Sequence, residues 1–206
     1  MTKTEIIEKA QLYLDDSSEL SSQEFSDLFD KCYRIINADR PWEGTKTAFT
    51  GSTVAGVAYV ALPSNFLYLT ANNNYNDQSE YANGPVVFRG ADYTPYPVVS
   101  WSDRRQYRDQ NMAYVDFAGS KLYFTVTPTV AEAVEYDYHA QQTALTTNQS
   151  PWFPAEFHDA LYHMMTADDF IIQQSDKAKS YRSENLKAAK DIMESMAYWN
   201  SQLVQL

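Results

Sequence analysis

Two of the three histidines in this 206-residue chain stand close together in the stretch SPWFPAEFHDALYHMM, residues 150–165. His158 and His163 have the carboxylates Glu156 and Asp159 beside them. Imidazoles and carboxylates are the groups that most often bind metals or transfer protons. On a helix, however, the two histidines lie about 140° apart, and they lack the i, i+4 spacing of metalloproteases. We therefore predict no metal and no cofactor at this stretch.

Two interpretations of these residues remain. Asp159 and His163 stand at i and i+4 and, joined by His139, would suit a small metal-dependent hydrolase. Alternatively, Glu156 and Asp159 complement the positive end of a helix dipole, with the histidines on partly exposed faces. We favour the second interpretation, because no P-loop, GxGxxG, GxSxG or calcium-loop motif occurs in the sequence. The chain is predicted not to be an enzyme, with no catalytic residue.

Charge excludes a direct grip on nucleic acid. The formal net charge is −11, and it is spread as −4 over residues 1–40, −4 over 41–150 and −3 over 151–206. No segment is basic enough to hold phosphates. The densest basic cluster, DRRQYRD at 103–109, would suit phosphate or an acidic partner, but its flanking aspartates favour a solvated loop.

The cysteine content and the lengths of the apolar runs exclude further classes of protein. Cys32 is the only cysteine, which excludes an internal disulfide and a cysteine-ligated zinc site. No apolar run approaches the roughly 18 residues of a membrane span, and the charged N-terminus lacks a signal-peptide core. We expect a protein made in the cytoplasm, with no membrane partner. The 16 tyrosines and 4 tryptophans suit either protein–protein contacts or a tyrosine-rich sheet.

Helices are predicted at both ends of the chain. Thr2 to Glu5 and Ser21 to Glu24 have capping-box spacing, and apolar residues follow each at helical intervals. Pro41 ends the second helix. Near the other end, Pro154 suits a first helical position, and a long helix is predicted over SDKAKSYRSENLKAAKDIMESMAYWN. The residues predicted to face inward are Ile6, Ile7, Ala10, Tyr13, Leu14, Phe25, Leu28, Phe29, Cys32, Ile35, Ile36, Phe157, Leu161, Met164, either Ile171 or Ile172, Ala178, Tyr181, Ala188, Ile192 and Met196.

The middle of the chain predicts β-structure. A strand is expected over residues 51–63, a hairpin turns near Gly119, and shorter strands are expected at PVVFRG and YPVVSW. VEYDYHA alternates, which places His139 on an outer face. The polar stretch 71–84 predicts a loop. We thus predict an α+β fold, with residues 1–40 and 150–206 forming one helical bundle and residues 41–149 an inserted, small antiparallel β-barrel or sandwich.

The tail MAYWNSQLVQL places much apolar surface at a chain end. Either it packs on its own bundle or it docks on a partner. The residues predicted to bind a partner are Tyr198, Trp199, Leu203, Val204 and Leu206.

Several landmarks along the chain resemble those of the head-to-tail adaptor (connector) proteins of tailed bacteriophages, the group that includes tail tubular protein A of short-tailed phages. NADRPW (residues 37–42) resembles the Arg–X–Trp step that ends their N-terminal helical pair. LPSNFLYL (residues 62–69) resembles their Leu–Pro–X–X–Phe/Tyr turn, and PWFPAEFHDALYHMMTADDF (residues 151–170) their proline-led helix.

The resemblance implies a structural virion protein at the head–tail junction, made in the host bacterial cytoplasm. It would form a homo-oligomeric ring of twelve subunits that binds the portal protein and a tail nozzle or tail tube protein. DNA would pass through the lumen without sequence-specific binding. The alternatives are another phage tail or baseplate structural protein and the small metal-dependent hydrolase considered above.

Overall fold

The chain divides into two compact units. One unit comprises Met1–Gly44 together with Gln141–Leu206, and the other is Thr45–Ala140. The described α-helices belong to the first unit and the described strands to the second, so the predicted α+β class is confirmed. Residues 41–44 and 141–149, which we predicted within the β-domain, group with the helices. The structure, a computed structural model, describes residues 1–14, 20–71, 84–172 and 176–203.

The element bounds are as follows. The α-helices are α1 (Lys3–Leu14), α2 (Ser22–Asp39), α3 (Asp159–Thr166), α4 (Asp169–Ile172) and α5 (Asp176–Leu203). The strands are β1 (Lys46–Ser52), β2 (Tyr59–Ala61), β3 (Phe66–Leu69), β4 (Val86–Arg89), β5 (Thr94–Pro97), β6 (Ala113–Asp116), β7 (Lys121–Phe124) and β8 (Ala133–Ala140). Within the described residues, short 3₁₀ helices occur at Glu43–Thr45, Asp103–Arg105 and Ala155–Phe157.

Both predicted capping boxes are present. Thr2 N donates to Glu5 Oε2 at 2.8 Å, and Glu5 N donates to Thr2 Oγ1 at 3.3 Å. Ser21 and Glu24 make the same reciprocal pair at the start of α2. The hydrogen bonds from Ser21 lower the pKa of the Glu24 carboxyl, because they favour its ionised form.

α1 and α2 share one core with α3 and α5, as the joining of the two chain ends predicts. Within α2, Tyr33 is fully buried, whereas Ile35, predicted to face inward, is exposed. The other buried side chains of this core include Ile6, Ala10, Leu14, Phe25, Phe29, Ile36, Trp42, Leu161, Met165, Ala178 and Met196.

The predicted helix after Pro154 is divided. A 3₁₀ turn at Ala155–Phe157 comes first, α3 begins only at Asp159, and α4 follows a break. The later start of α3 sets the phase of its buried face, so Met165 rather than Met164 lies fully in the core.

α5 has 28 residues, which makes it about 42 Å long. Its buried positions recur at intervals of seven and four, an 11-residue period that keeps them in one seam along the helix. Tyr181, predicted to face inward, is exposed because it flanks this seam. The buried positions are Ala178, Asn185, Ala189, Met196 and Asn200.

The described strands of the β unit form two sheets. In the first, β8 is central and pairs with β1, β3 and β4, while β5 pairs with β4. The second has the order β2-β7-β6. All these strand pairs are antiparallel.

One apolar core lies between the two sheets, as in a sandwich. The first sheet contributes Val87, Tyr96 and Tyr136, and the second contributes Leu122 and Phe124. Tyr96 meets Phe124 edge to face, with ring centroids 5.3 Å apart. Of the predicted alternatives, an inserted barrel or sandwich, this shared core fits the sandwich.

Strand predictions were only partly right. The expected strand over 51–63 is instead the end of β1, a turn and the short β2, because Gly56 adopts a φ of +77°, a conformation that strands exclude. The hairpin near Gly119 is confirmed as β6 and β7, and Gly119 N donates to Asp116 Oδ1 at 3.0 Å. Most of the predicted loop 71–84 lies outside the described residues.

A buried arginine joins the two sheets. Arg89 is 6% exposed and pairs with Glu132 Oε2 at 2.7 Å. It also donates to the Val126 carbonyl at 2.7 Å. Its guanidinium lies over the rings of Tyr96 and Phe124, at 4.4 and 4.9 Å from their centroids.

Candidate interaction surfaces

His158 is buried between the chain start and its own loop. The N-terminal amine of Met1 lies 2.9 Å from Nδ1, and the Phe153 carbonyl oxygen lies 2.9 Å from Nε2. An ammonium can only donate and a carbonyl can only accept, so the ring is neutral with its proton on Nε2. Burial lowers the pKa of His158, in agreement with this state.

His163 and Asp159 have separate partners. His163 Nδ1 lies 2.9 Å from Asn185 Oδ1, and Asn185 Nδ2 donates to the Tyr13 hydroxyl at 3.2 Å. Asp159 instead pairs with Lys9, at 2.6 Å. These contacts tie α3 to α5 and α1, and they leave the i, i+4 pair without a common ligand position.

His139 is not on an outer face, contrary to the prediction from alternation. It is 2% exposed, bonds Thr45 Oγ1 at 3.0 Å through Nδ1, and packs against the ring of Tyr68. β8 has neighbours on both of its edges, and the end of the strand that carries His139 is covered on both faces. Alternation predicts opposite faces of a strand but not which of them is solvated.

The described part of the chain contains no group of three histidine, cysteine or acidic side chains that is placed to hold a metal ion. Burial raises the pKa of the Cys32 thiol to about 12, so it stays protonated and is not a nucleophile. The roles visible for these groups are structural.

Two of the segments that resemble the adaptor family, residues 37–42 and 151–170, contribute tryptophans to the helical unit. Trp42 is fully buried, and its Nε1 donates to the Ile36 carbonyl at 2.6 Å. Trp152 donates to Asn37 Oδ1 at 2.7 Å. A Cβ on Gly44 would lie 2.2 Å from the Trp152 ring, so only glycine fits there.

The segment LPSNFLYL, residues 62–69, begins with a turn. Phe66 N donates to the Pro63 carbonyl at 3.0 Å, and β3 begins at Phe66. The ring of Phe66 stacks on Tyr138, with centroids 5.6 Å apart. The landmark therefore starts a strand that pairs with the centre of the first sheet.

The residues predicted to bind a partner differ in their surroundings. Tyr198 is 71% exposed and Leu203 is 38% exposed. Trp199 is partly buried in the helical core, with its ring 5.9 Å from that of Phe157. Val204 and Leu206 lie outside the described residues.

The buried neighbour Asn200 closes the end of α5. Its Oδ1 accepts from Glu43 N at 2.8 Å, and its Nδ2 donates to the Pro41 carbonyl at 3.3 Å. Residues 199 and 200 therefore belong to the bundle, whereas Tyr198 is free on the opposite face.

A row of aromatic rings crosses the outer face of the second sheet. Tyr59, Tyr123 and Tyr114 are directly opposite one another in the strand register. Their neighbouring ring centroids are 5.3 Å apart in both pairs, and Trp101 continues the row 5.5 Å from Tyr114. We call these four residues the aromatic ladder. Tyr59 and Trp101 are exposed at its ends.

A cation covers each end of the aromatic ladder. Lys121 Nζ lies 4.0 Å from the ring centroid of Tyr59, and Arg104 Cζ lies 3.9 Å from that of Trp101. Both are within the range of a cation–π contact. Burial raises the pKa of Tyr114, so its hydroxyl keeps the proton and can donate.

Sequence reasoning missed this ladder. The tyrosines come from three strands, and only the pairing register brings them side by side. The available signal was the basic cluster at 103–109, which follows an exposed Trp101. The cluster does lie in an exposed loop, as predicted.

The described residues form two apolar cores, and a comparison with protein families identifies the family to which the chain belongs. The model of the SU10 adaptor protein family matches residues 1–205, and the chain belongs to this family. It is a bacteriophage structural adaptor. A search of curated proteins gave no match.

No helix within the described ranges is both long and apolar enough to cross a membrane.

Proposed function

We propose that the chain is the head-to-tail adaptor of a tailed bacteriophage: a ring of twelve copies bound between the portal protein and the tail nozzle or tail tube protein. The observation that carries this proposal is the family match over residues 1–205. The segments that resemble those of tail tubular protein A lie where the chain passes from α2 toward β1 and at the turn before β3. They support the assignment as a head-to-tail adaptor.

Charge supports passage of DNA through the ring. A net charge of −11 repels phosphates, so DNA would move through the lumen without being held or read. The adaptor ring would therefore continue the DNA channel without binding the DNA.

We infer that the protein acts without catalysis, as the adaptor family indicates. The two bonds of His158 and the separate partners of His163, Asp159 and His139 support this inference. Each group stabilises the fold at its own position.

We also propose that the end of α5 docks on the portal. Tyr198 and Leu203 offer exposed apolar surface, and Val204 and Leu206 continue the apolar sequence. A preformed helix reduces the ordering cost of such a contact. Trp199 would act indirectly, by fixing the helix end against Phe157.

The test is to image mature particles and to count subunits. Cryo-electron microscopy should place the chain at the head–tail junction of the virion, and native mass spectrometry of purified chain with the portal of the same phage should give twelve copies per portal. Density at a baseplate or tail tip instead would favour the other structural class and would contradict the proposal.

A further inference from the structure

We propose that the aromatic ladder is the docking surface for an acidic face on the helical unit of the neighbouring copy. This inference rests on the proposed ring. A ring of identical subunits needs two different surfaces that complement each other. The ladder and an acidic helical surface are such a pair.

The geometry of the ladder favours a protein partner over a nucleic acid. Tyr114 and Tyr123 lie nearly parallel, with 5° between their planes, so each covers a face of the other. Arg104 covers a face of Trp101. Stacking of bases needs free ring faces, whereas the exposed edges and hydroxyl tips of tyrosines suit protein contacts.

The charges beside the ladder are unusual for this chain. The β unit has six lysines and arginines, and two of them, Lys46 and Arg89, pair with carboxylates. The other four make no ion pair within the described ranges, and all lie beside the ladder. Lys121 covers the ring of Tyr59 at one end, and the loop at the other end carries Arg104, Arg105 and Arg108.

Aspartates Asp103, Asp109 and Asp116 alternate with these cations along the chain. Asp103 accepts from Ser100 Oγ at 2.7 Å, and Asp116 accepts from Gly119 N at 3.0 Å, so two of the three carboxylates are already hydrogen-bonded locally. A mixed surface of this kind holds a phosphate backbone only weakly, yet its arginines can still pair with individual carboxylates of a protein.

The helical unit supplies the complementary charge. It carries ten lysines and arginines against eighteen aspartates and glutamates, a net charge of −8, while the β unit has six against nine, a net charge of −3. Glu8 and Leu12 are exposed on one face of α1, beside Glu5 of the capping box, which places a carboxylate next to an apolar side chain. Opposite charges of this kind steer association and fix its register.

The experiment compares variants of the full chain on purified portal, with bound copies counted by native mass spectrometry. Arg104→Glu and Trp101→Ala should raise the concentration needed to complete the ring about tenfold or more, while a single copy still binds the portal. Tyr93→Ala is the matched control, because Tyr93 is exposed, belongs to the β unit and lies off the ladder. This variant should complete the ring like the unchanged protein.

A photo-crosslinking amino acid at position 106, where Gln106 is exposed in the loop beside the ladder, then identifies the occupant. In rings of mixed ¹⁴N and ¹⁵N copies, crosslinks should join position 106 to residues 1–44 or 141–206 of another copy. Crosslinks to portal, tail protein or DNA, or none at all, would overturn the inference. Normal rings from Arg104→Glu would also overturn it while leaving the proposed function intact, whereas failure of the unchanged protein to form a ring would defeat the proposed function itself.

Discussion

At the scale of single residues, histidines that look reactive in the sequence serve as structural connectors. His158 is fixed between a donor and an acceptor, and His163 lies in a line with Asn185 and Tyr13. Such satisfied polar groups position the elements around them. Substitutions at such residues are therefore expected to change the free energy of unfolding.

The titration of His158 should make stability fall in acid. Its pKa is lowered from 6.5 by burial, so the unfolded chain takes up a proton at a higher pH than the folded protein does. The free energy of unfolding is therefore highest above about pH 6.5 and decreases as the pH falls below it. Urea unfolding between pH 7.5 and 5 should show this loss, and His158→Gln should reduce its slope. His163→Gln is the control; if it flattens the curve equally, the assignment to His158 is wrong.

Gly44→Ala should destabilise the protein by about 2–3 kcal/mol or more, as expected for overpacking. The new methyl group would meet the Trp152 ring at 2.2 Å, and that ring is held by its bond to Asn37. Gly119→Ala is the control, since its methyl group would meet only the Asp116 carboxylate at 2.6 Å, a side chain that can move. Equal denaturation midpoints for the two variants would contradict the prediction.

At the scale of elements, sequence reasoning succeeded where the physics is local. Capping boxes at Thr2 and Ser21 located both N-terminal helices, because their hydrogen bonds span three residues. It failed where distant segments decide the outcome. Whether His139 is buried depends on strands far away in sequence, and whether Met164 or Met165 faces inward depends on where α3 begins. The aromatic ladder needs a three-strand register, which no local pattern contains.

The pairing of the two sheets should depend on Arg89. Arg89→Met would leave Glu132 and the Val126 carbonyl without this donor, and we expect a loss of about 2–3 kcal/mol. Arg89→Lys should lose less, since it keeps the charge but not the planar fork. Hydrogen exchange should accelerate in β4 and β7 while the amides of α2 stay protected. Uniform acceleration across both units would contradict a role limited to the β unit.

At the scale of the whole molecule, different residues at the end of α5 should determine stability and partner binding. Tyr198→Ala should leave the melting temperature unchanged and weaken portal binding, because the ring is exposed. Trp199→Ala should instead cost about 3 kcal/mol of stability, the range for removing a packed aromatic side chain. Calorimetry and binding to purified portal, measured on the same samples, distinguish the two. Normal portal binding by Tyr198→Ala would refute the docking role.

The helical unit is assembled from both ends of the chain, and this has a consequence for synthesis on the ribosome. α1 and α2 emerge first, but their core partners on α3 and α5 follow only after the whole β unit. Contacts of such long sequence separation form late, whereas the β unit has its own core and all its strands by Ala140. We expect the β unit to gain protease resistance in stalled nascent chains before the helices do. We therefore expect the bundle to close last, so that a chain still being translated lacks the helix that we propose to dock on the portal and does not assemble early.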